Sequence, residues 1–441
     1  MNCKTEYKSI ADELLKTLFP ICRSITGDGI RNSLGIINQY IPIKLTEIPS
    51  GTKVFDWIVP DEWNIRDGYI EDLKGNRILD FKESNLHVVS YSTPVDKIIR
   101  IEELKRHLHT LPDQQDAIPY LTSYYKKDWG FCLPHNTLKK MKDEKYKILI
   151  DSTLEPGAMT YAESVLEGES NNEILISTYI CHPSMANNEL SGPILTILLY
   201  KYLSSLSIRR YTYRFYFGPE TIGALAYLKE KGEYFKKNLV AGLVATCCGD
   251  SGVLNYKKVR RKDNMLDRIV EHCLKHSGHE YNIRDFFPSG SDERQYCSPG
   301  FNLPVGSITR SVYGEYPEYH TSLDNLDFVT SKALIETLEI YINVVNTFES
   351  NHVYINKKPF GEPFLSKYKL QDVMGGSKQD GAGGAMDIGH NQETKIIKYI
   401  LNFSDGKHDL IDIAEKLSIS VLELIPLVSQ LCKAKLIEMV D

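Results

Sequence analysis

The chain has 441 residues, a formal net charge of -6 and an isoelectric point of about 6.1. This length exceeds that of one ordinary hydrophobic core, so we expect two or three domains. The acidic balance argues against a chain-wide nucleic-acid footprint, and no apolar run is long enough to cross a bilayer. Nine cysteines without a C-x-x-C pair are typical of reduced thiols, which predicts a cytoplasmic protein.

The first 164 residues divide into a helical part and a β-type part. Helical apolar spacing predicts a helix over residues 4–20 and a second helix near 29–40. Residues 51–164 instead carry short β-type runs separated by Pro, Asp, Asn and Gly, which predicts a β-rich inserted domain. Core packing is the simpler role for its tryptophans, which are Trp57, Trp63 and Trp129. We expect this domain to cover the crevice described next.

From residue 165 to 350, apolar strand-like runs alternate with helical ones. This alternation predicts a largely parallel sheet covered by helices. Function gathers at the carboxyl ends of strands in such sheets. The stretches whose residues could bind a metal or act in catalysis follow strand-like runs, and they read "CHPSMANNELSG", "GPET" and "YHTSLDN". The loop "SGSDERQ", between Gly and Pro residues, adds further charges.

These stretches hold candidate metal ligands and acid–base groups. His182 is followed closely by Glu189, and an imidazole with a carboxylate suits a zinc-like ion. Glu220 ends the next strand and begins a helix, where a carboxylate could be a helix-terminus partner, a ligand or a general base. His320 follows Tyr319 before a long helix. Structural roles stay open for each of these residues taken singly.

The C-terminal part changes character twice. Residues 351–394 include a Gly-rich polar stretch and predict a linker. Residues 395–441 predict short amphipathic helices and a terminal strand, in a pattern that resembles a winged helix-turn-helix. Its second helix, Val421–Cys432, is followed by Lys433 and Lys435 and offers no basic face. We therefore expect a protein-contact or dimerisation role for it, with nucleic acid the less favoured partner.

The order of these motifs resembles the zinc aminopeptidase fold, which includes two-zinc aminopeptidases and glutamate carboxypeptidases. The resemblance covers about residues 1–50 and 165–350. The complete layout is similar to an uncharacterised bacterial family of aminopeptidase-like proteins, often associated with polysaccharide biosynthesis. It implies a three-layer α/β/α core with a mostly parallel sheet, interrupted by the β-rich domain and followed by the winged helix-turn-helix.

The resemblance also implies a site, from which the sequence departs. Members usually carry an Asp that bridges two metals, where this chain has Asn188, and a Glu-Glu pair, where it has Pro219 and Glu220. A further strand-end Asp is replaced by Thr246 or Cys247. The lost carboxylates predict one ion, zinc or another divalent metal. The candidate ligands are His182, Glu189, Glu220 and His320.

The resemblance implies a metal-dependent amide hydrolase, most simply an aminopeptidase-like exopeptidase acting on a peptide or amino-acyl substrate. Glu220 would be the base or a ligand, and Tyr319 would donate a hydrogen bond to the oxyanion. Asp292, Glu293 and Arg294 would line the substrate pocket. The rival interpretation is a catalytically degenerate binding or regulatory protein, linked to polysaccharide biosynthesis by association.

Overall fold

The computed structural model describes residues 3–370, 376–379, 385–388 and 392–440. The chain forms two compact units. The first contains Met1–Asp267 and His279–Glu339, and the second contains Arg268–Gly278 and Ile340–Asp441. No helix among the described residues combines the length and apolar character that a bilayer crossing requires.

An eight-stranded sheet organises the first unit. In chain order its strands are β1 (Lys44–Pro49), β2 (Ala158–Leu166), β3 (Glu173–Tyr179), β4 (Thr212–Gly218), β5 (Leu239–Ala245), β6 (Leu254–Lys257), β7 (Tyr281–Arg284) and β8 (Val305–Thr309). Their spatial order is β1-β2-β4-β3-β5-β8-β6-β7. The central strands β4, β3, β5 and β8 are parallel. Strands β1 and β2 pair antiparallel to their neighbours, and β6 pairs antiparallel with β8 but parallel with β7.

The central strands are buried on both faces, as parallel strands under two helical layers require. Every residue of β3, β4 and β8 is buried. The fold class predicted from the alternation of strands and helices is therefore confirmed. The α-helices that lie wholly in this unit are Cys3–Leu18, Asp28–Ile37, Ile101–Leu104, His135–Lys140, Ser191–Ser204, Ile222–Asn238 and Glu293–Tyr296. Two further helices, Met265–Lys275 and Ser331–Ser350, each contain a boundary between the two units.

The β-rich segment carries its own antiparallel sheet. The strands, in spatial order, are Arg77–Asp80, Glu62–Asp72, Lys145–Glu155 and Val95–Arg100. Two small two-stranded pairs join Lys53–Val54 to Trp57–Ile58 and Leu108–His109 to Phe131–Cys132. A hydrophobic cluster that includes Ile70, Phe131 and Ile148 supports this sheet. The segment lies in the same compact unit as the main sheet, and β2 already belongs to that sheet from Ala158 onward.

The second unit combines a three-stranded sheet with helices. Its central strand Val353–Asn356 pairs antiparallel with Asp405–Asp409 and with Ile437–Met439. The helices are Gln392–Phe403, Leu410–Leu417 and Val421–Lys433. The turn between the last two contains Ser418 at φ 53°, and a capping box of Ser420 and Glu423 starts the last helix.

Strand Val353–Asn356 lies inside the segment for which the sequence predicts a linker. That prediction, over residues 351–394, overlooked the strand because four residues among polar neighbours give almost no periodic signal. In the Gly-rich stretch 374–392, the described parts Gly376–Gln379 and Ala385–Ile388 pair antiparallel. The rest of the stretch, apart from Gln392, lies outside the described residues.

Candidate metal-binding active site

His182 follows β3 by three residues and faces a cavity with only one of its ring nitrogens committed. Its Nδ1 lies 2.6 Å from Glu189 Oε2, and the side chains of both residues are at least 95% buried. Its Nε2 lies 3.7 Å from Glu220 Oε2. A carboxylate at one imidazole nitrogen fixes the ring and leaves the other nitrogen to bind a ligand or metal. Although burial lowers the pKa of His182, the adjacent Cys181 and Glu189 raise it on balance.

A fully buried arginine supports this pair from the N-terminal segment. Arg23 donates from Nε to the His182 carbonyl at 2.9 Å and from Nη1 to the Leu18 carbonyl at 2.6 Å. The same Nε lies 3.8 Å from Glu189 Oε1. A buried carboxylate is tolerated when a cation and hydrogen bonds compensate it. Arg23 therefore supplies a buried counter-charge to Glu189 beside His182.

Glu220 follows β4 by two residues and is partly buried in the same cavity. Its other carboxylate oxygen, Oε1, lies 3.7 Å from Arg294 Nη1. Arg294 in turn donates from Nη2 to Thr221 Oγ1 at 2.6 Å. Thr221 has φ 62°, a left-handed conformation that is unfavourable for a β-branched residue. Burial raises the pKa of Glu220, against the opposing effect of His182 and Arg294.

His320 presents a ring nitrogen that has no partner. Its Nε2 is buried and makes no hydrogen bond, while its ring centroid lies 5.4 Å from that of His182. The Tyr319 ring stacks on it at 3.9 Å. Burial, followed by the charge of His182, lowers the pKa of His320 to about 3. A neutral imidazole with a free Nε2 has the lone pair that a metal ligand requires.

Asn188, at the position where the sequence resemblance implies a bridging Asp, is fixed by its surroundings. Asp324 accepts the backbone N–H groups of Asn187 and Asn188, at 2.5 and 2.9 Å. The Asn188 side-chain oxygen accepts from Tyr179 at 3.2 Å, and its buried Nδ2 has no hydrogen-bond partner. An amide nitrogen is a donor with no lone pair for a cation, and the amide group carries no charge. Asn188 therefore lacks the negative charge that a carboxylate would have at this position.

Asp292 and Glu293 contact protein groups instead of the cavity that contains Glu220. Asp292 is fully buried and accepts the Thr221 N–H at 2.8 Å, and burial raises its pKa to about 8. Glu293 is also fully buried and accepts from Lys257 Nζ at 2.5 Å and from the Tyr313 hydroxyl at 2.9 Å. Neither residue lines the cavity, in contrast to the substrate-pocket role predicted from their charges. The sequence could not show that these charges are paired inside the protein.

The cavity has a volume of about 500 Å³ and brings together residues from distant parts of the chain. His182, Glu220 and His320 form its polar end. The β-rich segment supplies an aromatic wall with Trp57 and residues 120–125. The Tyr120 N–H donates to the His320 carbonyl at 2.8 Å, so that this wall is tied to the histidine loop.

The donors that line this cavity are of the types that bind a zinc-type ion. The free Nε2 of His320, the uncommitted Nε2 of His182 and the Glu220 carboxylate are two imidazoles and one oxygen, a donor set typical of catalytic zinc. Cys181, His182 and Glu189 also place ligand atoms within 4.8 Å of one another. However, His182 and Glu189 bond each other there, and burial raises the pKa of Cys181 to about 11. That second grouping therefore favours hydrogen bonding over metal binding.

Arg23 and the aromatic wall are the parts that sequence reasoning missed. Arg23 lies 159 residues from His182 in the chain, and nothing in its neighbourhood marks it as buried. Among the tryptophans, Trp63 is a core residue as expected, but Trp57 is 40% exposed at the cavity. A weak signal existed in the density of tyrosines in "YLTSYY", which is unusual for a surface loop.

Comparison with known proteins places both parts of the chain. Residues 12–351 match the family DUF4910, described as a domain of unknown function, and residues 352–439 match a winged helix-turn-helix family. A Clostridium acetobutylicum protein is 49% identical over 403 residues, covering 91% of this chain and 90% of its own. Its name gives it an aminopeptidase-like domain and assigns it provisionally to polysaccharide biosynthesis.

Solved structures agree with this placement. A crystal structure from Clostridium acetobutylicum, described provisionally as a peptidase, is 45% identical with a TM-score of 0.91 and covers 100% of this chain and 98% of its own. A zinc aminopeptidase from Bacillus subtilis is 11% identical with a TM-score of 0.57, covering 78% of this chain and 94% of its own. The latter likeness shows the fold alone. The chain therefore belongs to the DUF4910 family, with an aminopeptidase-like fold and a C-terminal winged helix-turn-helix domain.

Proposed function

We propose that this protein is a metal-dependent hydrolase of amide bonds that uses one zinc-type ion. The observation that carries the proposal is the convergence of His182, Glu220 and His320 in one cavity, with an unpartnered imidazole Nε2 on His320. When bound, such an ion polarises a carbonyl and lowers the pKa of a water molecule. The aminopeptidase-like fold and the name of the Clostridium relative support an exopeptidase-type reaction.

The protein's own residues would hold and orient the reactants. Glu189 would keep the His182 ring in place through Nδ1, supported by Arg23. Glu220 would bind the ion or accept the proton of the attacking water, and its 3.7 Å separation from His182 Nε2 is compatible with both roles. If Glu220 is a ligand, no second carboxylate among the described cavity residues is available as base.

Tyr319 would donate a hydrogen bond to the oxyanion. Burial, with Glu220 nearby, raises the pKa of Tyr319, so that its hydroxyl keeps its proton at neutral pH. Its ring is held against His320 by stacking at 3.9 Å. A preorganised donor of this kind usually contributes about 10²–10³ in turnover. The winged helix would serve protein contact, because helix Val421–Lys433 carries one basic residue, Lys433.

The substitution Glu220→Gln tests the proposal, because it keeps side-chain size while removing charge and basicity. If Glu220 is the base, bound zinc should stay near the wild-type amount while amide hydrolysis falls by about 10²–10⁴. If it is a ligand, zinc and activity should be lost together. Glu318→Gln, two residues before His320 and outside the cavity lining, is the matched control. Unchanged zinc and unchanged hydrolysis in Glu220→Gln would refute the proposed mechanism.

A binding or regulatory protein on the same fold is the second candidate. Asn188 in place of a carboxylate and the Arg294 guanidinium 3.7 Å from Glu220 both reduce the negative charge available to a metal. The name of the Clostridium relative supports a link of this candidate to polysaccharide biosynthesis. Wild-type protein that binds no zinc after chelation and reloading, and hydrolyses no amide, would favour it.

A further inference from the structure

The cavity that contains the candidate ligands also has an aromatic wall, part of which is exposed. Trp57 and Tyr125 meet edge to face with ring centroids 5.6 Å apart and remain 40% and 56% exposed. Deeper in the cavity, the Tyr120 and Tyr124 hydroxyls lie 2.9 Å apart, which satisfies their polar atoms. Exposed aromatic faces beside a cavity bind flat or apolar groups, such as the face of an aromatic or sugar ring.

This wall is held in place by the core. Trp57 belongs to the hairpin of Lys53–Val54 and Trp57–Ile58. The Lys229 ammonium donates to the Lys53 carbonyl at the base of this hairpin. At its turn, Phe55 packs edge to face on Phe301 with a centroid distance of 5.8 Å. The position of Trp57 is therefore set before any ligand arrives, which limits the entropy lost on binding.

The cavity offers no free carboxylate to a substrate ammonium group. Glu220 is the single acidic residue among the described residues that line it, and it already faces His182 Nε2 and Arg294 Nη1, each at 3.7 Å. Asp292 and Glu293 are buried and bonded to Thr221 and Lys257. An ammonium that enters would lose its hydration without gaining a counter-charge, which is unfavourable.

We propose that the cavity selects amides that carry no free ammonium group, on either the nitrogen side or the acyl side. It takes N-acylated amines that place a flat or apolar face against Trp57. The selectivity of binding is inferred from the cavity alone, whereas the reaction that follows binding rests on the proposed function. The reaction adds the water oxygen to the acyl carbon and breaks its C–N bond. Both protons of the water end on the leaving nitrogen, so that a carboxylate and an ammonium product are formed.

Matched probe pairs test this selectivity. N-acetyl-L-phenylalaninamide and L-phenylalaninamide differ in the ammonium, and N-acetyl-D-glucosamine and D-glucosamine repeat the comparison on a sugar. Dissociation constants are measured by calorimetry with chelator-treated and zinc-reloaded full-length protein at pH 6, where an α-amino group is protonated. We expect the acetylated member of at least one pair to bind at least about tenfold more tightly. The pair whose acetylated member binds more tightly shows whether the cavity favours peptide-type or amino-sugar-type ligands.

The contribution of the wall is tested by Trp57→Ala and, independently, by Tyr125→Ala, both at exposed positions. Each should weaken binding of the acetylated probe by up to about tenfold. Trp129→Phe is the control, because Trp129 stacks on His107 and does not line the cavity. Equal or tighter binding of the ammonium probes, no binding in either metal state, or affinities unaffected by both wall variants would overturn the inference.

Hydrolysis is measured separately with the zinc-reloaded protein, which keeps the two proposals distinguishable. Selective binding of acetylated probes without any amide hydrolysis would leave this inference standing and refute the proposed function. Hydrolysis of L-phenylalanine p-nitroanilide with stronger binding of the free-amine probes would support the proposed function and refute this inference.

Discussion

Glu189 should act on a metal through His182 and not as a ligand, and Glu189→Gln tests this. One oxygen lies 2.6 Å from His182 Nδ1 and the other 3.8 Å from Arg23 Nε, with both acidic and basic side chains fully buried. The glutamine can still accept from Nδ1 but no longer raises the basicity of the ring. Substitution of such a supporting carboxylate usually lowers metal affinity by about 10–100-fold. His182→Ala, which removes a ligand, should abolish detectable binding.

The same substitution leaves Arg23 as an unpaired buried cation, and we expect it to cost about 3–5 kcal/mol of stability. Zinc affinity is therefore measured at low temperature, by competition with a chromophoric chelator. Glu163→Gln is the control, because Glu163 also pairs with a buried arginine, Arg214 at 2.7 Å, but contacts no candidate ligand; Arg214 keeps its second partner Glu173, so the loss of stability should be smaller. It should lose stability and keep zinc affinity. A loss in Glu189→Gln equal to that in His182→Ala would show that Glu189 is a ligand, and an unchanged affinity would refute its supporting role.

Three further outcomes are expected. Elemental analysis after dialysis should give one zinc ion per chain, because Asn188 is uncharged where the resemblance implies a bridging carboxylate; two retained ions would contradict this. In the second unit, burial alone would raise the pKa of Asp409, but hydrogen bonds from Arg268, Asn351 and the Asp412 N–H lower it on balance. Its stabilising effect should therefore be present above about pH 4 and lost as the pH falls through the lowered pKa. Asp409→Ala should speed amide exchange of helix Leu410–Leu417 by a local loss of about 1–2 kcal/mol, measured by mass spectrometry, and unchanged exchange would contradict the capping role.

The main sheet could be predicted from the sequence because its central strands are continuous apolar runs. Strands β3, β4, β5 and β8 are buried along almost their whole length, and each is separated from the next by at least one helix. Parallel strands place their carboxyl ends on one edge, which is why His182 and Glu220 could be expected to meet. His320 lies in a loop, and it could be predicted as a site residue only because its motif resembles that of the zinc aminopeptidase fold.

The rest of the site depends on contacts that leave no local pattern. The sequence cannot show that Asp292 and Glu293 are buried, since a charged loop is usually exposed. It also cannot show that Arg23 reaches His182, or that Trp57 faces a cavity instead of packing in the core. These arrangements follow from how the β-rich segment and the N-terminal helices pack on the sheet. Such packing joins residues more than a hundred positions apart, beyond the reach of helix or strand periodicity.

The pairing of acidic with basic side chains affects both metal binding and the charge of the ligand that the cavity accepts. Each acidic residue of the site has an arginine within 4 Å, with Arg23 beside Glu189 and Arg294 beside Glu220. In the low dielectric of a buried site such pairs cancel most of the field that would attract further cations. One dication bound by the two imidazoles and the Glu220 carboxylate, as proposed above, is compatible with that balance, whereas a second dication or a substrate ammonium would meet no unpaired negative charge. On this proposal the charge pairing that disfavours a second ion also favours a neutral amide, so changes at Arg294 should affect metal binding and ligand charge selectivity together.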